Sequence, residues 1–365
     1  MISFVRKTML VIAGAMLAST GWAAEEKVLN IYNWSDYIAE DTITNFEKKT
    51  GIKVNYDVFD SNEVLEAKLL AGSSGYDVVV PSASFMERQI KAGVFRALDK
   101  GKLSNWSKLD KGILSSVALH DPGNAHGAPY MWGTTGFAFN TKMIKKRMPN
   151  APTDSWDMIF KPEVVSKFAD CGVTLLDAPT EVASSAMNYL GLDPNSEKKE
   201  DLKAAEKLLK SIRPYIRYFH SSQNINDLAN GEICIAMGWS GDMFIARDRA
   251  AEAKKGVEIE YVIPKEGAVI WFDMMAIPAD APHPENAQKW INYILEPKVA
   301  AAISDYVWYA NPNSAATKFV SDDVKNDPAI YPPAKVQQKL FPDKARSAKF
   351  TRKLTRTWTR IKSGK

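Results

Sequence analysis

Short apolar runs alternate with helix-period stretches along this chain: residues 28–32, 39–49, 52–58, 62–70 and 76–80 read as strand, helix, strand, helix, strand. That order restricts the chain to an α/β fold with mostly parallel sheets, because a parallel partner is reached only through a crossover. Ligands of such folds collect at loops past the carboxyl ends of strands. A second set of strand-like runs lies at 136–140, 173–176 and 233–237. Between them an amphipathic helix over 197–211 carries Leu202, Ala205, Leu208 and Leu209 at helical spacing. Further on, 257–262 and 271–277 read as buried strands and 286–295 as an amphipathic helix. No Pro/Gly-rich linker separates the halves. The 365 residues exceed the roughly 250–300 at which a single core stops growing, so two lobes joined by several crossovers, with a cleft between them, are expected.

The first residues read as an address. Arg6 and Lys7 precede an uncharged apolar run over 9–18, and Gly21-Trp22-Ala23 sets small residues at −3 and −1 of a cut after Ala23. The run is shorter than the roughly 20 residues of a membrane span. A mature chain from about Ala24 in the periplasm, with no lipid anchor, is expected. The segment carries only two charges, both basic, so a chain with 47 basic and 43 acidic residues stays close to neutral without it. The tail over 344–365 holds nine basic residues and no acid. Phe350, Leu354, Trp358 and Ile361 recur there at helical spacing, which predicts a terminal helix pinned to the body. A secreted chain this near neutrality lacks the electrostatic footprint of a nucleic-acid binder.

Two cysteines are present, Cys171 and Cys234. An oxidising compartment favours joining such an isolated pair, and the loop closed, if they pair, is worth about 4 kcal/mol on chain-entropy grounds. His120, His126, His220 and His283 show no metal-ligand spacing, so neither metal nor cofactor is expected. There is no G-x-S-x-G elbow, P-loop or G-x-G-x-x-G. A carboxylate pair such as Glu181 with Asp242 could run glycoside hydrolysis, which leaves a secreted hydrolase as the enzymatic alternative.

The informative pattern pairs aromatics with acids just after strand-like runs: Trp34-Ser35-Asp36-Tyr37, Trp239-Ser240-Gly241-Asp242, Trp271-Phe272-Asp273 and Tyr306-Val307-Trp308-Tyr309. Glu181 follows the 173–176 run, and Ser82 and Ser84 follow 76–80. Taken singly, each ring could be core and each acid or serine a helix cap. Together they suit a flexible aliphatic chain with cationic ends: carboxylates neutralise ammonium groups, and ring faces cover methylenes at about 0.8 kcal/mol per buried CH₂. Polyamines have that shape. A receptor for another cationic or zwitterionic solute, such as an amino acid or a quaternary amine, would use the same aromatics.

The segments Leu29-Asn30-Ile31-Tyr32-Asn33-Trp34-Ser35-Asp36-Tyr37, Tyr76-Asp77-Val78-Val79-Val80-Pro81-Ser82, Gly238-Trp239-Ser240-Gly241-Asp242 and Tyr309-Ala310-Asn311-Pro312-Asn313 resemble the periplasmic polyamine-binding proteins of ABC transporters. The resemblance implies a two-lobed type II periplasmic binding protein fold, each lobe a mixed, mostly parallel sheet flanked by helices. Lobe 1 would take 24–133 and about 255–308, and lobe 2 would take 134–254 and about 309–365. It implies an aromatic box of Trp34, Tyr37, Trp239, Trp271 and Tyr309. Asp36, Glu181, Asp242 and Asp273 would be the acids facing amines, with Ser35, Ser82 and Ser84 as hydroxyl partners. It also implies a Cys171–Cys234 bridge and a monomer that docks transiently on a membrane permease. Trp271 stands where putrescine receptors resemble one another in carrying Phe, and a wider indole over a longer chain implies spermidine in preference to putrescine.

Overall fold

Ten strands form one curled sheet in a computed structural model that describes residues 25–364; the expected signal peptide and its cut lie outside them. In chain order they are β1 (Val28–Trp34), β2 (Lys53–Phe59), β3 (Val78–Val79), β4 (Gly127–Asn140), β5 (Val173–Leu175), β6 (Ile216–Phe219), β7 (Ile235–Trp239), β8 (Ile259–Val262), β9 (Ala268–Ala276) and β10 (Leu340–Pro342). The order across the sheet is β2-β1-β3-β9-β4-β7-β5-β6, with β10 on β9 and β8 on β4. β1 runs parallel to β2 and β3, and β5 runs parallel to β6 and β7. The two parallel groups are joined by β4 and β9, which are antiparallel to each other and to β3, β7 and β8, while β10 runs parallel to β9.

β4 is buried along its whole length, as its near-continuous apolar sequence requires of a strand covered on both faces. It begins at Gly127, well ahead of the expected 136. Pro129 and Gly133 break the strand pattern there, and the register with β9 shifts between Pro129 and Trp132. This one strand feeds three cores: Tyr130 and Met131 enter one with β1–β3, Phe137 and Phe139 a second with β5, and Trp132 and Ala138 a third.

The second core also takes Phe350, Leu354, Trp358 and Ile361 from the helix Ala348–Ser363, so the basic tail is anchored as its periodicity predicted. A third cluster joins Ile225, Leu228, Phe244, Ala246, Ile259 and Tyr261 to Val320 and Ile330. β8 pairs with the far end of β4, at Phe137 to Asn140, while Tyr309 packs into the first core. β4 is long enough to offer partners on either side of the crossing. Cys171 and Cys234 are disulfide-bonded with Cα atoms 5.5 Å apart, just ahead of β5 and β7, where Val173 faces Ile235.

Candidate ligand-binding site

The crossing of β4 and β9 places the carboxyl ends of both parallel groups around one cavity. β1 ends at Trp34, Ser82 follows three residues after β3, β7 ends at Trp239, and β9 contributes Trp271 and Asp273 from within the strand. Eleven of the twelve expected ligand residues line this cavity of about 50 Å³: Trp34, Ser35, Tyr37, Ser82, Ser84, Glu181, Trp239, Asp242, Trp271, Asp273 and Tyr309.

Two carboxylates occupy one region. Asp273 accepts from Tyr37 Oη at 2.9 Å and from Ser82 Oγ at 2.6 Å. Ser82 is held in turn by Asn62, whose amide donates to Oγ at 2.9 Å and accepts from the Ser82 N–H at 3.0 Å. Ser82 stands at the start of the helix Ala83–Lys91 but makes no capping bond, so its hydroxyl is committed to the acid. Asp242 lies in the first turn of the helix Ser240–Ala253 and accepts from Tyr309 Oη at 2.7 Å. Burial pushes both acids up to about 7, against the opposing pull of those hydroxyl donors.

Glu181, in the first turn of the helix Pro179–Tyr189, accepts from Trp239 Nε1 at 3.0 Å and from Thr135 Oγ1. Its carboxyl is pushed up to about 8 by burial first, with the nearby charges of Asp343 and Glu63 adding to it. Glu63 accepts from Thr180 Oγ1 at 3.1 Å and is raised to about 7 by burial. Every side-chain donor reaching these four acids is a neutral hydroxyl or indole; among the described residues none of them is in an ion pair. Such a group of anions is costly to keep ionised unless a cation balances it.

The rings form the walls. Trp34 meets Trp239 edge-on at 5.2 Å between centroids, Tyr37 meets Tyr309 at 5.1 Å, and Trp271 meets Tyr309 at 5.3 Å. Trp34 is fixed by its Nε1 donating to Val80 O at 2.8 Å, and Trp271 by its Nε1 donating to Thr135 Oγ1 at 3.2 Å. Gly133 allows the Trp271 indole to lie on β4, since a Cβ there would sit 2.8 Å from the ring. Gly241 does the same for the Tyr309 ring.

Asp36 is the exception among the expected acids. Its backbone is left-handed, at φ 52°, and its carboxylate pairs with Arg249 at 2.6 Å instead of lining the cavity. Nor does it cap the following helix, which begins at Thr42 after Asp41. Ser35 Oγ lies 3.2 Å from Ser222 Oγ, so the two residues of this turn tie β1 to the segment after β6 and to the helix after β7. The fourth aromatic segment is not a strand end: Tyr306 closes a helix and bonds Glu40, Trp308 packs on Phe244, and only Tyr309 reaches the cavity. Glu63, Asn62, Thr135, Thr180 and Asp343 were not singled out in the sequence. Glu63 sits inside an ordinary helical pattern and Asp343 just ahead of the basic tail, so no local signal marked them.

Residues 41–332 match the family of bacterial extracellular solute-binding proteins. The chain is 58% identical to the putrescine-binding periplasmic protein PotF of Escherichia coli (strain K12), over 97% of each chain. It is 54% identical to the putrescine-binding periplasmic protein SpuD of Pseudomonas aeruginosa (strain UCBPP-PA14), over 98% of this chain and 97% of that one. A solved structure described as a putative spermidine/putrescine ABC transporter from Listeria monocytogenes superposes with a TM-score of 0.84 at 32% identity, over 93% of this chain and 100% of that one. The fold is that of the type II periplasmic binding proteins, and this chain belongs to the bacterial extracellular solute-binding proteins, a family of receptors and not of enzymes.

Proposed function

We propose that this chain is the periplasmic receptor for a linear aliphatic polyamine, which it passes to a membrane permease of the ABC type. The observation that carries this reading is the set of enclosed carboxylates with no internal counter-ion, walled by Trp34, Trp239 and Trp271. Asp242 and Asp273 would hold one ammonium and Glu181 another, with the indoles along the methylenes between them. The several acids along one ring-walled cavity favour a multiply charged chain over a quaternary amine, with its single charge, or a glycan, with none. The names of the two curated relatives support the polyamine class.

In this reading β1–β3 with the first core, and β5–β7 with the second, are the two lobes, hinged where β4 and β9 cross. The ligand bridges acids from both sides and shifts the population towards the closed form, which the permease reads. For chain length we keep spermidine over putrescine, on the breadth of Trp271; the putrescine receptors among the relatives favour the shorter diamine. Titration calorimetry with spermidine, putrescine, a cationic amino acid and choline tests both levels. Tightest binding of spermidine supports the reading in full, tighter putrescine binding removes the length preference, and a preference for the amino acid or choline overturns the polyamine assignment.

A further inference from the structure

Anchoring explains only one face of the basic terminal helix. In Ala348–Ser363 the residues Phe350, Leu354, Trp358 and Ile361 fill the second core. At 3.6 residues per turn, Lys349, Arg352, Lys353, Arg356 and Arg360 fall within an arc of about 100°, far round the helix from that apolar stripe. All of them are exposed except Lys353, which is half-buried.

Acids answer only the carboxyl end of this row. Arg360 pairs with Glu206 at 3.0 Å and Lys362 with Asp177 at 2.7 Å. Lys349, Arg352, Lys353 and Arg356 stand in no ion pair among the described residues. Their i, i+3, i+4 and i+7 spacing sets like charges side by side over about 10 Å, an arrangement that disfavours the helix by itself. No acid occupies the first turn, where the helix dipole would favour one. Glu197 lies at that end, but its carboxylate accepts from the Ser347 N–H and hydroxyl.

Such a row suits a diffuse negative surface. The centre of a protein interface is apolar and poor in charge, and none of the exposed large apolar side chains belongs to this helix. Because its own apolar stripe is committed to the core, the helix has nothing to sink into a bilayer. What it offers is reversible attraction between fixed cations and phosphate headgroups.

We propose that the exposed face of the helix Ala348–Ser363 holds this receptor loosely against an anionic phospholipid surface, so that its search for the permease runs along the membrane. None of these basic residues lines the ligand cavity, so the proposal stands apart from the polyamine reading.

Co-sedimentation of the purified protein with lipid vesicles tests it. Vesicles of phosphatidylcholine with one quarter phosphatidylglycerol are expected to retain at least tenfold more protein at low salt than vesicles of phosphatidylcholine alone. That excess should vanish at about 0.5 M salt, where screening shortens to a few ångströms. The variant K349Q/R352Q/K353Q/R356Q is expected to lose at least fivefold of the retention. Its thermal midpoint should hold or rise, since the apolar stripe is untouched and like-charge repulsion is relieved. Its spermidine affinity by calorimetry should stay within twofold of wild type. Should that variant fail to fold, R352Q/R356Q alone is expected to lose at least twofold of the retention. Equal retention by neutral and anionic vesicles, or retention unchanged in the variants, overturns the proposal. So does a wild-type protein that ignores anionic vesicles while the variants lose stimulation of the permease ATPase in neutral vesicles, which assigns the face to the permease instead.

Discussion

Tyr309 and Asp242 hold each other twice: the phenol donates to Oδ1 at 2.7 Å and accepts from the Asp242 backbone N–H at 3.1 Å. The helix Ser240–Ala253 thereby starts on a ring anchored in the first core, and the acid is aimed into the cavity before any ligand arrives. Asp242→Ala or Asp273→Ala should each weaken spermidine binding at least thirtyfold, because truncating one partner of a buried ion pair costs about 2–5 kcal/mol. Calorimetry reads this directly, and losses within about threefold for both variants, under ~1 kcal/mol, would refute the site assignment.

The raised carboxyls fix the sign of the pH dependence. Asp242, Asp273 and Glu63 titrate near 7 and Glu181 near 8 when folded, above the ordinary carboxyl range. The native state therefore binds more protons than the unfolded chain between about pH 4 and 8, and the ligand-free protein should lose stability as pH rises through that window. An ammonium favours the ionised acids, so binding should release protons near pH 7 and weaken as pH falls from 8 to 5.5. Thermal melts with and without spermidine across this range, and titrations in buffers of different ionisation enthalpy, check both signs. A ligand-free midpoint that rises from pH 5.5 to 8 would contradict the burial argument.

The Asp36–Arg249 pair ties the β1 turn to the helix Ser240–Ala253, with both side chains about a third exposed. At that exposure an ion pair is worth roughly 0–1 kcal/mol and is screened by salt. Arg249→Ala should thus lower affinity less than about fivefold, and the difference from wild type should vanish at high ionic strength. A loss beyond tenfold that persists in salt would mean that this pair dominates closure.

The Cys171–Cys234 bridge spans 63 residues of sequence and touches none of the cavity residues. Replacing both cysteines by Ala should remove up to about 4 kcal/mol of stability, read as a lower denaturant midpoint. Spermidine affinity of the folded fraction should stay within about twofold. A large affinity loss would show that the bridge also positions the site.

The amino-acid order determined the strand and helix succession, because periods of two and 3.6 are local properties: Lys199–Ile212, Ala348–Ser363 and β1 fall close to where their patterns placed them. It also marked Trp34, Trp239, Asp242, Trp271 and Asp273, whose aromatic and acidic neighbours are unusual in buried strands. It could not reveal that β4 runs on to Gly127 through Pro129 and Gly133, nor how that strand distributes its partners between cores. Tertiary structure alone decided which acids are paired. Asp36, inside the most recognisable motif, is paired with Arg249, and Asp343 stands 4.0 Å from Arg346, whereas Glu63, in an unremarkable stretch, is held at the cavity by the neutral hydroxyl of Thr180. Charge balance is set by neighbours in space, and those neighbours lie far apart along the chain.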